Sequence, residues 1–214
     1  MAGKFVTFEG GEGAGKSTQV RRLAERLATT GRRVVVTREP GGTPTAEAIR
    51  AFLLSGIGPA LGAAEEAVLF AAARADHVER VIRPALAAGT WVLSDRFADS
   101  THAYQGASGA ADADLLDALD RVAIGRTRPD LTIILDVPVE VGLARAAERL
   151  AGGEALDRFE RDDAATHEAR RRAFLAIAAR EPRRCLVVDA AQPEDAVADA
   201  VWRAVAARLL DEAA

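Results

Sequence analysis

The stretch Phe8 to Thr18 reads FEGGEGAGKST, and its residue types and spacing suit the grip of a polyphosphate. Gly10, four residues, then Gly15, Lys16 and Ser17 satisfy the pattern GxxxxGK[ST]. Glycine lets such a backbone curl until the peptide N–H groups of Gly10, Gly11, Glu12, Gly13, Ala14 and Gly15 converge. The helix that follows through Thr18 presents its positive end to the same point. Lys16 is placed to reach the outer phosphates, and Ser17 offers a hydroxyl to Mg²⁺. Lysine is otherwise found only at Lys4, the basic residues being almost all arginine. The motif indicates a nucleoside triphosphate site and does not name an acceptor.

An NKxD stretch for guanine recognition and an LSGGQ-like stretch are both missing from the sequence, which argues against a GTPase switch and a transport ATPase. A small kinase would need a second anion site. Three segments offer one: TREPGGT from Thr37 supplies Arg38 and Glu39, SDRFADSTHAYQG from Ser94 supplies Asp95 and Arg96, and LFAAARADH from Leu69 supplies Phe70, Arg74 and His77. The spacing of four and seven puts the last three on one side of a helix, together with Val81, so a packing face is an equal reading of that side. An arginine there needs an anion or acceptor, and an aromatic beside it could stack on a base.

The elements that must position these groups are readable from periodicity. Five segments rich in β-branched or aliphatic residues predict strands: KFVTFE from Lys4, RVVVTR from Arg33, TWVLSD from Thr90, LTIILD from Leu131 and RCLVVD from Arg184. Helical patterns separate them, with Val20, Leu23 and Leu27 after Ser17 and Val197, Val201, Val205 and Leu209 after Pro193. Strand and helix in alternation predict an α/β fold with an open parallel sheet and helices on both faces. Ligands gather beyond the carboxyl ends of such strands. Those ends carry Glu9, Arg38 with Glu39, Asp95 with Arg96, and Asp136.

At 214 residues the chain suits a single domain, 1–214, with 49% hydrophobic and 28% charged residues and no repeated tract. LAGGEALDRFERDD, residues 150–163, interrupts two helical stretches and reads as a mobile flap. The net charge of −4 gives no general attraction to nucleic acid polymer or to an anionic membrane. Apolar runs are too short to span a bilayer and no signal region opens the chain, so a cytoplasmic protein is expected. The single cysteine, Cys185, reads as a small buried residue in a strand, and His77, His102 and His167 lack metal-ligand spacing.

In combination, FVTFEGGEGAGKST, TREPGGT, SDRFADSTHAYQG, RPDLTIILDVP, LDRFE and VVDAAQP, in this order over nearly the whole chain, resemble the bacterial thymidylate kinase family. The resemblance implies a P-loop NTPase fold with a lid, and transfer of the γ-phosphate of ATP to dTMP with Mg²⁺. It implies that Arg38 and Arg96 grip the acceptor phosphate. Phe70 and Arg74 would recognise thymine, with Glu39 in the same acceptor site, and Ser100, Thr101, Tyr104 and Gln105 would line the sugar and base pocket. Glu9 and Asp95 would orient the sugar hydroxyl or the hydrated metal, and Arg145 with the loop Asp189 to Pro193 would pack on adenine. The phosphate loop contains no arginine, so the resemblance is to the type whose lid supplies one, with Arg149 and Arg158 the candidates and Arg161 behind them. The glycine-rich turn with an arginine that often follows AYQG in the family is replaced by ASGAADAD. Homodimers are usual in the family. The alternatives are another small kinase of this fold and an ATP-dependent switch protein.

Overall fold

A computed structural model describes residues 3–55, 61–107, 111–151, 159 and 162–210. The strands are β1 (Phe5–Glu9), β2 (Val34–Arg38), β3 (Trp91–Asp95), β4 (Leu131–Asp136) and β5 (Cys185–Asp189). All pair in parallel, in the order β2-β3-β1-β4-β5. Each predicted strand is therefore present, and the trivaline run Val34–Val36 forms an edge whose Val36 is half exposed.

Alternation along the strands sends side chains to two layers. Val6, Phe8, Leu93 and Ile133 pack against Val20, Leu23 and Leu27 of α1 (Lys16–Thr29) and Val197, Val201 and Val205 of a C-terminal helix, Glu194–Val205. Phe5 and Val92 face the other way and meet Ala71, Val78 and Ile82. Ile134 and Cys185 on that side meet Phe174 and Ile177. Cys185 is buried, and burial pushes its thiol up to about 12.

The other α-helices among the described residues are α2 (Pro44–Leu54), α3 (Ala63–His77), α4 (Arg83–Ala87), α5 (Ala98–Thr101), α6 (Ala113–Ala123), α7 (Val139–Ala151), α8 (Ala164–Arg180) and α9 (Glu194–Val205). Pro44 opens α2, and the Thr43 hydroxyl accepts from the Ala46 N–H at 3.1 Å, satisfying a donor that the helix leaves unpaired. The chain leaves α3 through a π-helical turn, Val78–Ile82, and leaves α5 through another, His102–Gly106. The second turn carries Tyr104 and Gln105, and such wider turns re-aim side chains at functional sites. Helix α7 continues into the start of the expected flap, as far as Ala151. Arg158 and Arg161 lie outside the described residues.

Parallel pairing in register sets the ends of the central strands side by side. Phe8 stands opposite Asp95, and Glu9 opposite Ile134. The loops after β1 and β3 must then share one space. Ile133 is fully buried at the middle of this sheet, so Ile133→Ala should cost about 2–5 kcal/mol of unfolding free energy in urea titrations, through lost transfer energy and a residual cavity.

Candidate active site

The loop after β1 turns through Gly10 at φ 136°, Gly13 at 67° and Gly15 at 86°. The last two lie in the left-handed region, which a side chain disfavours. At Gly13 space also decides the residue, because a Cβ there would stand 1.9 Å from the Gly142 carbonyl oxygen of α7. Gly15 leads directly into α1, so the helix begins where the loop closes. Lys16 is buried and its ammonium donates to the carbonyls of Gly10 at 3.1 Å and Gly11 at 2.8 Å. Burial, then the neighbouring Arg96, lowers its pKa from the ordinary lysine value.

Arg96 connects this loop to the opposite wall. Its guanidinium donates to the Gly10 carbonyl and the Ser100 hydroxyl, each at 3.2 Å, and to Glu12 Oε1 at 2.8 Å. It also lies over the Tyr104 ring, 4.9 Å from the centroid, while the Tyr104 hydroxyl donates to Glu12. Burial alone would raise Glu12, but Arg96, Lys16 and the Tyr104 hydrogen bond outweigh it and hold the carboxyl at about 2.

The facing cleft has a volume of about 670 Å³. It gathers Glu12, Lys16 and Ser17 from the phosphate loop with Arg38, Glu39, Phe70, Arg74, Asp95, Arg96, Ser100, Thr101, Tyr104, Gln105 and Arg149. Residues far apart in sequence thus meet in one cleft. Arg74 is buried on α3 and donates to Glu39 Oε2 at 2.7 Å, to the Thr101 hydroxyl at 3.0 Å and to the Phe97 carbonyl at 3.2 Å. His77 completes the clamp on Glu39 at 2.9 Å, and its other ring nitrogen meets the Thr37 hydroxyl at 2.7 Å. Arg38 is more exposed and pairs with Glu47 at 3.2 Å. Gln105 donates to Glu66 at 3.1 Å.

Glu9 and Arg145 do not line this cleft. Glu9 is fully buried, with its oxygens taken by the Phe97 N–H and the Ser100 hydroxyl, and is not among the residues that line the cleft. Side-chain alternation along β1 puts it on the face opposite Phe8, beneath the wall formed by Phe97 and Ser100. Arg145 donates to the Ala190 carbonyl at 2.8 Å, inside the loop expected to face adenine.

The structure adds residues that the sequence did not single out. Arg50 and Phe97 line the cleft, and Phe159 joins them, its ring 5.6 Å from Tyr104 and 6.3 Å from Phe70. Arg170 of α8 stacks on Tyr104, 4.4 Å from the centroid, and donates to the Phe159 carbonyl at 3.3 Å. Only the LDRFE motif pointed near Phe159, and nothing in the local pattern marked Arg170.

Ser17 Oγ donates to Asp95 Oδ2 at 2.5 Å. A hydroxyl and a carboxylate oxygen this close, next to the phosphate loop, fit Mg²⁺, which binds through few protein oxygens and retains water. Among the described residues lining the cleft, six cationic side chains face three carboxylates, an excess that favours anionic ligands although the whole chain carries −4.

A phosphate-binding loop at the carboxyl edge of a parallel sheet, opposite an arginine-lined cleft, defines a P-loop phosphotransferase. The family model described as Thymidylate kinase matches residues 8–201. A thymidylate kinase of Rhodopseudomonas palustris is 60% identical over 215 aligned positions, covering 100% of this chain and 93% of the relative. One from Bradyrhizobium sp. is 60% identical over 207, covering 97% and 91%. The crystal structure of thymidylate kinase from Ehrlichia chaffeensis superposes with a TM-score of 0.76 at 33% identity, covering 96% of this chain and 99% of that one. The chain belongs to the thymidylate kinase family.

Glu12 has a folded-state pKa near 2 against an ordinary 4.5, so its ionised form contributes stability above about pH 4.5 that is lost as pH falls towards 2. In urea titrations the stability advantage of the wild type over Glu12→Gln should be largest at pH 7 and shrink steadily between pH 4.5 and pH 3.

Proposed function

We propose that the chain, as one domain with a lid, performs the reaction of its family: transfer of the γ-phosphoryl group of ATP to dTMP, giving ADP and dTDP. The observation that carries this reading is the single cleft in which Lys16 and Ser17 face Arg38, Phe70, Arg74, Arg96 and Tyr104.

The phosphate loop would bind the ATP phosphates through backbone N–H groups of residues 10–18, with Lys16 on the outer phosphates. Arg145 and the loop Asp189 to Pro193 would pack on adenine. Ser17 and Asp95 would hold Mg²⁺, which supplies neutralisation of phosphate charge. On the acceptor side Arg38 and Arg96 would fix the dTMP phosphate, Phe70 would stack on thymine, and Arg74, Glu39, Thr101 and Gln105 would shape the base pocket. Tyr104, beside Ser100, would leave no room for a ribose 2′-hydroxyl. Because the acceptor phosphate is already ionised, transfer is direct and needs positioning more than a strong base. Arg149 lines the cleft and would meet the transferring group together with Arg158 of the lid. An arginine in that role is worth on the order of 10³ to 10⁵ in rate.

No helix of the described residues is long and apolar enough to cross a membrane. A cytoplasmic homodimer is the setting we propose, as the family implies.

Purified protein should form ADP from ATP and Mg²⁺ strongly with dTMP and weakly with dUMP, dCMP, dGMP, UMP or no acceptor. Lys16→Ala and Arg96→Ala should each abolish most of that stimulation. Equal ADP release with every acceptor would overturn the acceptor reading and leave only the triphosphate site. Arg158→Ala should lower kcat by on the order of 10³ with little change in dTMP binding; an unchanged kcat would remove it from the role.

A further inference from the structure

Arg96 is the one non-glycine residue among those described with positive φ, at 69°. A side chain disfavours this conformation, so the surroundings must impose it. Three hydrogen bonds do so. The Arg96 N–H donates to the Phe8 carbonyl at 2.9 Å, and the Ser94 hydroxyl donates to the Arg96 carbonyl at 2.8 Å. The next N–H, of Phe97, donates to Glu9 Oε1 at 2.7 Å. Glu9 Oε2 meanwhile takes the Ser100 hydroxyl at 2.6 Å, the same hydroxyl that accepts from the Arg96 guanidinium. Glu9 therefore touches both the backbone that follows Arg96 and the partner of its head group.

We propose that Glu9 is a positioning residue: behind the cleft wall it ties down the Phe97 N–H and the Ser100 hydroxyl, holds Arg96 in the left-handed conformation, and so aims the guanidinium at the acceptor phosphate without touching substrate or metal. This rests on the reading of Arg96 as a phosphate ligand. The geometry requires an oxygen acceptor of the right reach. Negative charge is a secondary matter, since burial, with Asp99 adding, pushes Glu9 up to about 8. The charged groups around it, Asp99, Arg96, Lys16 and Arg74, belong to four different elements or loops.

Glu9→Gln keeps the reach and an oxygen for the Phe97 N–H and cannot ionise. Glu9→Asp keeps the carboxyl group and shortens the reach. Steady-state constants for dTMP and ATP should show Glu9→Asp raising KM for dTMP by about tenfold or more, with KM for ATP nearly unchanged, and Glu9→Gln recovering most of that loss. In an Arg96→Ala background Glu9→Asp should produce no further fall in kcat/KM for dTMP, because its effect runs through Arg96. A crystal structure of Glu9→Asp should show Arg96 leaving positive φ. The proposal is overturned if Gln is as damaging as Asp or worse, if Asp behaves as wild type, or if the Asp effect persists in full without Arg96. The Arg96 backbone in the crystal tests it whatever the acceptor proves to be, so failure of the dTMP reading would be separately visible.

Discussion

One peptide oxygen, the Gly10 carbonyl, accepts from two cations, Lys16 at 3.1 Å and Arg96 at 3.2 Å. The lysine belongs to the phosphate-loop motif and the arginine to the facing wall of the cleft, so in the proposed reaction both halves of the site would meet around this point. Two like charges this close in a buried setting repel strongly. Glu12, from the same loop, answers with a carboxylate bonded to Arg96 and to the Tyr104 hydroxyl. The fold is what permits the arrangement. Only when β1 and β3 are parallel neighbours, with Phe8 opposite Asp95, do their following loops converge. The apolar layers beneath them, from Phe8 and Leu93 to Val20 and Leu23, hold that register. Core packing therefore supports chemistry through the placement of strand ends.

Legibility in the sequence followed the range of the interactions. The phosphate loop and its helix are a local motif, since turn, glycine conformation and helix start all lie within ten residues. The strands were readable because alternation reports burial directly, as at Phe5 and Val92 against Val6 and Leu93. The residues proposed for the acceptor side were visible only as residue types at strand ends and on one helix face, and the family resemblance grouped them. Partner identity was not. The clamp of Arg74 and His77 on Glu39 joins residues 35 and 38 positions apart. Arg170 reaches Tyr104 from another helix altogether. Periodicity assigns a face to such residues without naming the group opposite. Glu9 shows the same boundary: an acidic strand end looks catalytic in sequence, and the direction of one side chain puts it beneath the wall.

The arginines in the cleft divide by how firmly they are held. Arg74 is buried and has acceptors on Glu39, Thr101 and Phe97, so its position is set before any ligand arrives. A fixed donor suits discrimination of a base edge, because a ligand lacking the matching acceptor leaves buried polar groups poorly paired. Arg38 is instead exposed and pairs with the Glu47 carboxylate, while Arg96 is held by Glu12 together with the Gly10 carbonyl, the Ser100 hydroxyl and the Tyr104 ring. A phosphate dianion offers the same kind of oxygen with greater charge, so it can compete for these two arginines on equal geometric terms. In the proposed reaction, base selection thus falls to the fixed Arg74, while phosphate capture is shared by an exposed Arg38 and by an Arg96 whose backbone and aim are already set, and Glu47 and Glu12 are the carboxylates that the acceptor phosphate would replace.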